Sequence, residues 1–155
     1  MDDKKNNLKI NYEILVEESL RDVVKGALSF VEKNGLDEST HFYITFNTNH
    51  DGLKIDNLLL ESNPDEMTIV LQHQFWDLIV EDKSFSVSLS FSGVKHSLLI
   101  PFEAITHFTD PSVGFGLQFS ELGISEMSSN FETNKITSKK PLENKLDKKN
   151  EKNNP

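Results

Sequence analysis

The hydrophobic period of this chain changes once, at Gly35, and that change limits the folds open to it. Before Gly35, Val16, Leu20, Val23, Val24, Ala27, Leu28 and Val31 recur at three- and four-residue steps, forming one stripe of an α-helix. Asn11 stands where an N-cap belongs and Gly35 where a helix stops, so the spacing predicts a helix from Tyr12 to Asn34. Tyr12, Leu15 and Phe30 lie partly off the stripe. Such a helix must cover more than one side. After Gly35 the period becomes two. Phe42, Ile44 and Phe46 alternate with Tyr43, Thr45 and Asn47, as in a half-buried strand.

Further strands are expected at Met67–Gln74, Trp76–Val80, Phe85–Ser92, His96–Ile100 and Val113–Phe119. Turn-forming runs separate them at 49–52, 62–65, 81–84, 92–95 and 110–112. Pro101 should open a short helical turn reaching Ile105. The expected class is mainly β with an N-terminal α-helix, the strands rolling into a small β-barrel. The domain organisation follows: a flexible N-terminus over 1–11, a folded unit over 12–120, and a disordered tail over 121–155. Residues 132–155 hold only Ile136, Leu142 and Leu146 as aliphatics. That is too little apolar surface to offset about 1–2 kcal/mol of ordering entropy per residue.

Charge narrows the choice of partner. Residues 1–120 carry nine Lys/Arg against nineteen Asp/Glu. A surface so acidic repels phosphate backbones, whose binding depends on Lys and Arg displacing counterions. No nucleic-acid partner is expected. No apolar run approaches the roughly 18 residues of a membrane span, residues 1–10 lack a secretory signal's apolar core, and there is no Cys. A cytoplasmic location, with no membrane partner, is expected.

Chemistry-bearing patterns are sparse. His41, His50, His73, His96 and His107 show no metal-ligand spacing, and thiolate ligands are impossible without Cys. Gly114-Phe115-Gly116 lacks the Lys-Ser/Thr of a phosphate loop. No catalytic residue, metal or cofactor is expected, and the chain reads as a binding protein rather than an enzyme.

The best binding candidate is Met67-Thr-Ile-Val-Leu-Gln-His-Gln-Phe-Trp-Asp-Leu78. A β-branched, apolar run passes into Gln72, His73 and Gln74, directly before Phe75 and the only Trp, Trp76. Amides that both donate and accept, set beside large aromatics, suit an extended polar peptide. The plainer reading is a core strand whose polar residues face water.

This segment resembles the signature of the SspB stringent-starvation adaptors, in the form found in alphaproteobacteria. Three more blocks agree in order: His41-Phe-Tyr-Ile-Thr-Phe46, Leu89-Ser-Phe-Ser-Gly93, and Ile100-Pro-Phe followed by Asp110-Pro-Ser-Val113 and Leu117-Gln-Phe119. The resemblance implies a helix followed by an Sm-like barrel. It also implies a non-enzymatic adaptor that binds ssrA-tagged polypeptides from stalled translation and delivers them to the ClpX unfoldase of the ClpXP protease. Carried onto this chain, the tag groove would use Gln72, Gln74, Phe75 and Trp76 on one side and Leu89, Ser90, Phe91 and Gly93 on the other. A homodimer would form through the helix, with Leu20, Val24, Ala27, Leu28 and Val31 as interface residues. The tail end departs from the family's compact docking motif, and Leu142 and Leu146 are the candidate protease-docking contacts. The alternatives are an Sm-like RNA-binding barrel and a dimeric peptide-binding module with other clients.

Overall fold

A computed structural model describes residues 8–119. The expectations for residues 1–7 and for the tail, including Leu142 and Leu146, lie outside the described residues.

Helix α1 spans Tyr12–Asn34, as its periodicity predicts. The Asn11 side chain accepts from the Ile14 amide, and Gly35, at φ 78°, returns its N–H to the Val31 carbonyl. Seven strands follow: β1 (Phe42–Asn47), β2 (Glu66–Leu71), β3 (Phe75–Val80), β4 (Ser84–Phe91), β5 (Val94–Pro101), β6 (Ile105–Asp110) and β7 (Phe115–Gln118). A short helix, α2 (Asn57–Ser62), sits between β1 and β2, capped by the Asp56 carboxylate. The class is mainly β with an N-terminal helix. The hydrogen-bonded ladder does not run round a closed cylinder, however. The strands form one antiparallel sheet in the order β2-β1-β6-β7 and a second in the order β3-β4-β5.

Three local expectations need correction. Strand β2 ends at Leu71, and Gln72, His73 and Gln74 form the bend that carries the chain from one sheet to the other. Residues 105–110, not assigned to a strand from sequence, form β6, which pairs with both β1 and β7. Val113 belongs to a 3-10 turn and not to the last strand; Gly114 takes a left-handed φ of 66° before β7 begins. Its side-chain cap is Asp110, which holds the Ser112 amide.

One buried cluster joins both sheets and the helix. Val24 and Leu28 meet Ile44, Phe46, Ile69, Leu71, Phe85, Val87, Leu98, Ile100 and Phe108, with no side chain in this set more than marginally exposed. The helix residues expected at a dimer interface are therefore already engaged. Val24, Leu28 and Val31 are buried in the chain's own core, and Leu20 and Ala27 pack partly against it. The apolar stripe faces the sheets. What the helix leaves exposed is the off-stripe Tyr12 (67%), Leu15 (50%) and Phe30 (64%), together with Val16 (36%) and Val23 (44%) from the margin of the stripe.

Arg21 locks the helix to the sheets. Its guanidinium donates to three carbonyls at the β5–β6 turn: Phe102 and Ile105 at 3.0 Å each, and Glu103 at 3.3 Å. It also pairs with Glu17 one turn back, at 2.9 Å, and lies 4.5 Å above the Phe119 ring. A second attachment runs along the free edge of β3. There the Val80 amide donates to Glu32, and Lys25 binds the carboxylate of Asp82. Lysine at position 21 would keep the charge and lose the planar fork. Arg21→Lys should therefore lower unfolding free energy by about 1–3 kcal/mol, the range of hydrogen bonds to a charged group. Urea denaturation followed by circular dichroism measures it.

Candidate functional site

The signature residues occupy an inter-sheet corner and the strand that leaves it. Gln72, His73 and Gln74 are all exposed at the corner. The chain then enters β3, where Phe75 is the register partner of Leu89 and Trp76 that of Ser88. Immediately afterwards the β3–β4 register shifts at a bulge, and Asp77 adopts φ 55°. A bulge adds a residue to one strand and re-aims its neighbours. Asp is among the few side chains that tolerate this backbone conformation.

On β4, Phe85, Val87 and Leu89 turn into the core, and Ser84, Ser86, Ser88 and Ser90 take the opposite face. Pairing extends this division to β5. Leu89 pairs with His96 and Phe91 with Val94 on the core side; Ser88 pairs with Ser97 and Ser90 with Lys95 on the other. The eight sequence-predicted binding residues therefore do not share one surface. Phe75, Leu89 and Phe91 lie on the core side. Trp76 and Ser90 lie on the outer face, and Gln72 and Gln74 at the corner. Leu89 is only 4% exposed and serves the core rather than an open pocket wall.

Gly93 has a specific task. It follows Ser92, and the two have φ of 81° and 53°. Two successive positive φ values make a type I′ two-residue hairpin, whose twist matches the flanking strands. A β-carbon at Gly93 would meet nothing within 4 Å, so the backbone conformation demands glycine and local crowding does not.

The hairpin brings in residues that the sequence reading left out. Lys95 places its ammonium 4.8 Å over the Trp76 ring, leaving the indole 39% exposed on the outer face. On the core side His96 packs 5.8 Å from Phe91, ring centre to ring centre. Its Nδ1 lies 3.3 Å from the Asp56 carboxylate that caps α2. The signal for both was present in sequence. A two-residue loop at Ser92-Gly93 sets position 95 opposite 90 and position 96 opposite 89. The Asp37 carboxyl, in the loop after α1, is held below the ordinary carboxylate value. The Ser39 hydroxyl is the main cause and the Ser39 amide the next. Two surface clefts lie away from the corner. One runs between α1 and the β5–β6 turn, beside Arg21 and Lys83, and the other lies beside Phe30 and Phe42.

The model of the family described as "SspB: Stringent starvation protein B" matches residues 14–155. The chain belongs to the SspB family. The match begins inside α1 and takes in all seven strands. No curated protein matches the chain. SspB membership supports an adaptor-type role in protein quality control, with peptide-tag and protease partners in general. Among the described residues, no helix is long and apolar enough to cross a membrane.

The lone indole makes the outer face directly observable. Lys95→Ala should increase acrylamide quenching of Trp76 fluorescence and cost no more than about 1 kcal/mol of stability, as expected for one exposed cation–π contact. Stern–Volmer analysis of both proteins tests this.

Proposed function

We propose that this SspB-family chain is a homodimeric, non-enzymatic, cytoplasmic adaptor. It binds ssrA-type degradation tags on polypeptides released from stalled translation and delivers them to the ClpX unfoldase of ClpXP. The observation that carries the reading is the family match over residues 14–155, which includes the whole signature segment. The geometry of that segment supports it. Gln72 and Gln74 present two exposed amides at a corner between sheets, next to the half-buried Phe75. Exposed amides can bond a peptide's backbone or its polar side chains, while the adjacent ring offers apolar surface. Of the residues expected in the groove, Gln72 and Gln74 are exposed at the corner, and Phe75 and Phe91 can line its core-side wall.

In this reading the dimer uses the helix face that the chain leaves open. Tyr12, Leu15, Val16, Val23 and Phe30 supply the apolar contacts in place of the buried Val24, Leu28 and Val31. Residues 121–155 carry the protease-docking function, with Leu142 and Leu146 as apolar anchors. An adaptor that holds client and protease together makes the second encounter intramolecular, at an effective concentration on the order of mM for a short connection. No bond is made or broken by the adaptor itself.

Two measurements test this. In an anisotropy titration, a fluorescein-labelled ssrA-type tag peptide should bind saturably to the full chain. Gln72→Ala should weaken binding about fivefold, near the net worth of one hydrogen bond, with an unchanged thermal midpoint. Absence of saturable binding would sink the proposal. Separately, a chain truncated after Ser120 should retain its tag affinity but no longer accelerate ClpXP degradation of a tagged reporter. Delivery that survives truncation would take the docking role away from the tail.

A further inference from the structure

Where α1 ends, the loop leading to β1 leaves a cleft of about 260 Å³ over the chain's own core. Its deep side is apolar: Val31 and Phe42 are buried and Leu36 is half-buried. Asp37 from the loop and Asp110 from the end of β6 line it as well, and none of its nine lining residues is basic. Ser39 holds the Asp37 carboxyl below its ordinary value, so the group stays charged throughout the neutral range. Both bonds from Ser112 to Asp110 go to Oδ1, which leaves Oδ2 for a cation. The volume falls below the roughly 300–1,000 Å³ of small-molecule sites. An apolar side chain flanked by cations fits it better than a metabolite does. The exposed Phe30 is the only lining residue that also belongs to the helix face proposed for the dimer.

The chain itself carries a segment of that description. Residues 139–149 hold five Lys against Glu143 and Asp147, with Leu142 and Leu146 as their aliphatics. Residues 1–120, with nineteen Asp/Glu against nine Lys/Arg, present the opposite sign. Distance permits the encounter. Strand β7 starts beside the cleft, with Phe115 opposite Asp110, and at about 3.4 Å per residue it brings the chain to Phe119 only about 14 Å away. Leu142 follows Phe119 by 23 positions. That is a reach of up to about 75–80 Å, against a radius of gyration of about 13 Å for a body of this length.

We infer that residues 139–149 dock in this cleft of their own chain, with Leu142 seated against Val31, Leu36 and Phe42 and the flanking lysines beside Asp37 and Asp110. The contact stands independently of the adaptor reading; its consequence rests on that reading. Leu142 is also a proposed anchor on the unfoldase, and one side chain cannot fill two sites at once. The free chain therefore keeps its docking segment sheathed. The unfoldase must compete with an intramolecular ligand whose effective concentration is on the order of mM. Because charge draws the segment in, added salt loosens it: the screening length falls from about 10 Å at 0.1 M to about 3 Å at 1 M. The same segment of a second copy is the less fitting occupant, since the chain's own segment reaches the cleft without a bimolecular encounter.

The absence of Cys makes the contact directly readable. Asn144→Cys gives the full chain a single thiol, which takes a nitroxide two positions from Leu142. In isotope-labelled protein the amide signals of Leu36, Thr40 and Phe42 should lose most of their intensity relative to the reduced label. Those of Ser88 and Ser97, on the outer face of the second sheet, should keep theirs. Leu142→Ser in the spin-labelled chain should restore the cleft signals. Cleft signals that never broaden, or broadening that survives Leu142→Ser, would overturn the inference and leave the adaptor reading standing. Equal broadening with the nitroxide on one copy and the observed amides on another would overturn it in favour of a second copy. The consequence is read separately. Asp37→Lys should tighten binding of the full chain to ClpX about threefold, the worth of one exposed ion pair; unchanged binding would overturn the sheathing role. Cleft broadening in a chain that binds no ClpX would keep the contact and remove the adaptor reading.

Discussion

The fold depends on how α1 is fastened. A helix laid across two sheets with no ladder between them must be held at both ends of its contact. Arg21 holds one end. Its fork takes three carbonyls at the turn where the chain passes from β5 in one sheet to β6 in the other, and its face covers Phe119 at the end of β7. Phe102 and Glu103 belong to the 3-10 turn, and Ile105 opens β6. One planar cation thus bonds three carbonyls at the seam between sheets. Glu32 and Lys25 hold the other end, along β3. With the helix fixed, Val24, Leu28 and Val31 close the core, and α1 lies along the edge of β3.

That arrangement sorts the molecule's surfaces. Leu20, Val24, Ala27, Leu28 and Val31 of the α1 stripe serve the core, so Val16, Val23 and the off-stripe residues remain for a partner. The serine row of β4 faces away from the core, with Trp76 and Lys95 beside it, while Phe75 and Phe91 lie on the opposite side of the same sheet. A single extended ligand cannot touch both faces. It can touch the corner and one side of the sheet.

Much of this was legible in the sequence. The helix ends could be read from Asn11 and Gly35 because capping is local chemistry. β1 and β4 could be read from strict alternation, which persists wherever one face of a strand is buried. Strand β6 escaped because Ile105, Thr106, Phe108 and Thr109 are all buried. A central strand covered on both sides shows no alternation. The end of β2 escaped because Gln72-His73-Gln74 contains neither Gly nor Pro; the bend is imposed by passage between two sheets, a tertiary event. Of the residues expected at a dimer interface, Val24, Leu28 and Val31 are buried in the chain's own core. Periodicity locates an apolar stripe but does not say whether the chain's own sheets or another chain will cover it. The candidate site was legible as a segment and not as a surface, since sidedness depends on a register that the bulge at Asp77 shifts.

The Ser92-Gly93 hairpin constrains how such a chain can drift over generations. Substitutions at Ser90 or Lys95 alter one exposed position each. A single-residue insertion or deletion in the two-residue loop is of another order. Strand faces alternate with period two, so it would exchange the two sides of β5 against β4 at a stroke. Lys95 would be driven beneath Phe91, and Leu98 and Ile100 would be turned into water. The loop is therefore free in chemistry only within its φ requirements, and fixed in length. Its two residues set the register of half the second sheet, a heavier constraint than their exposure on the surface would suggest.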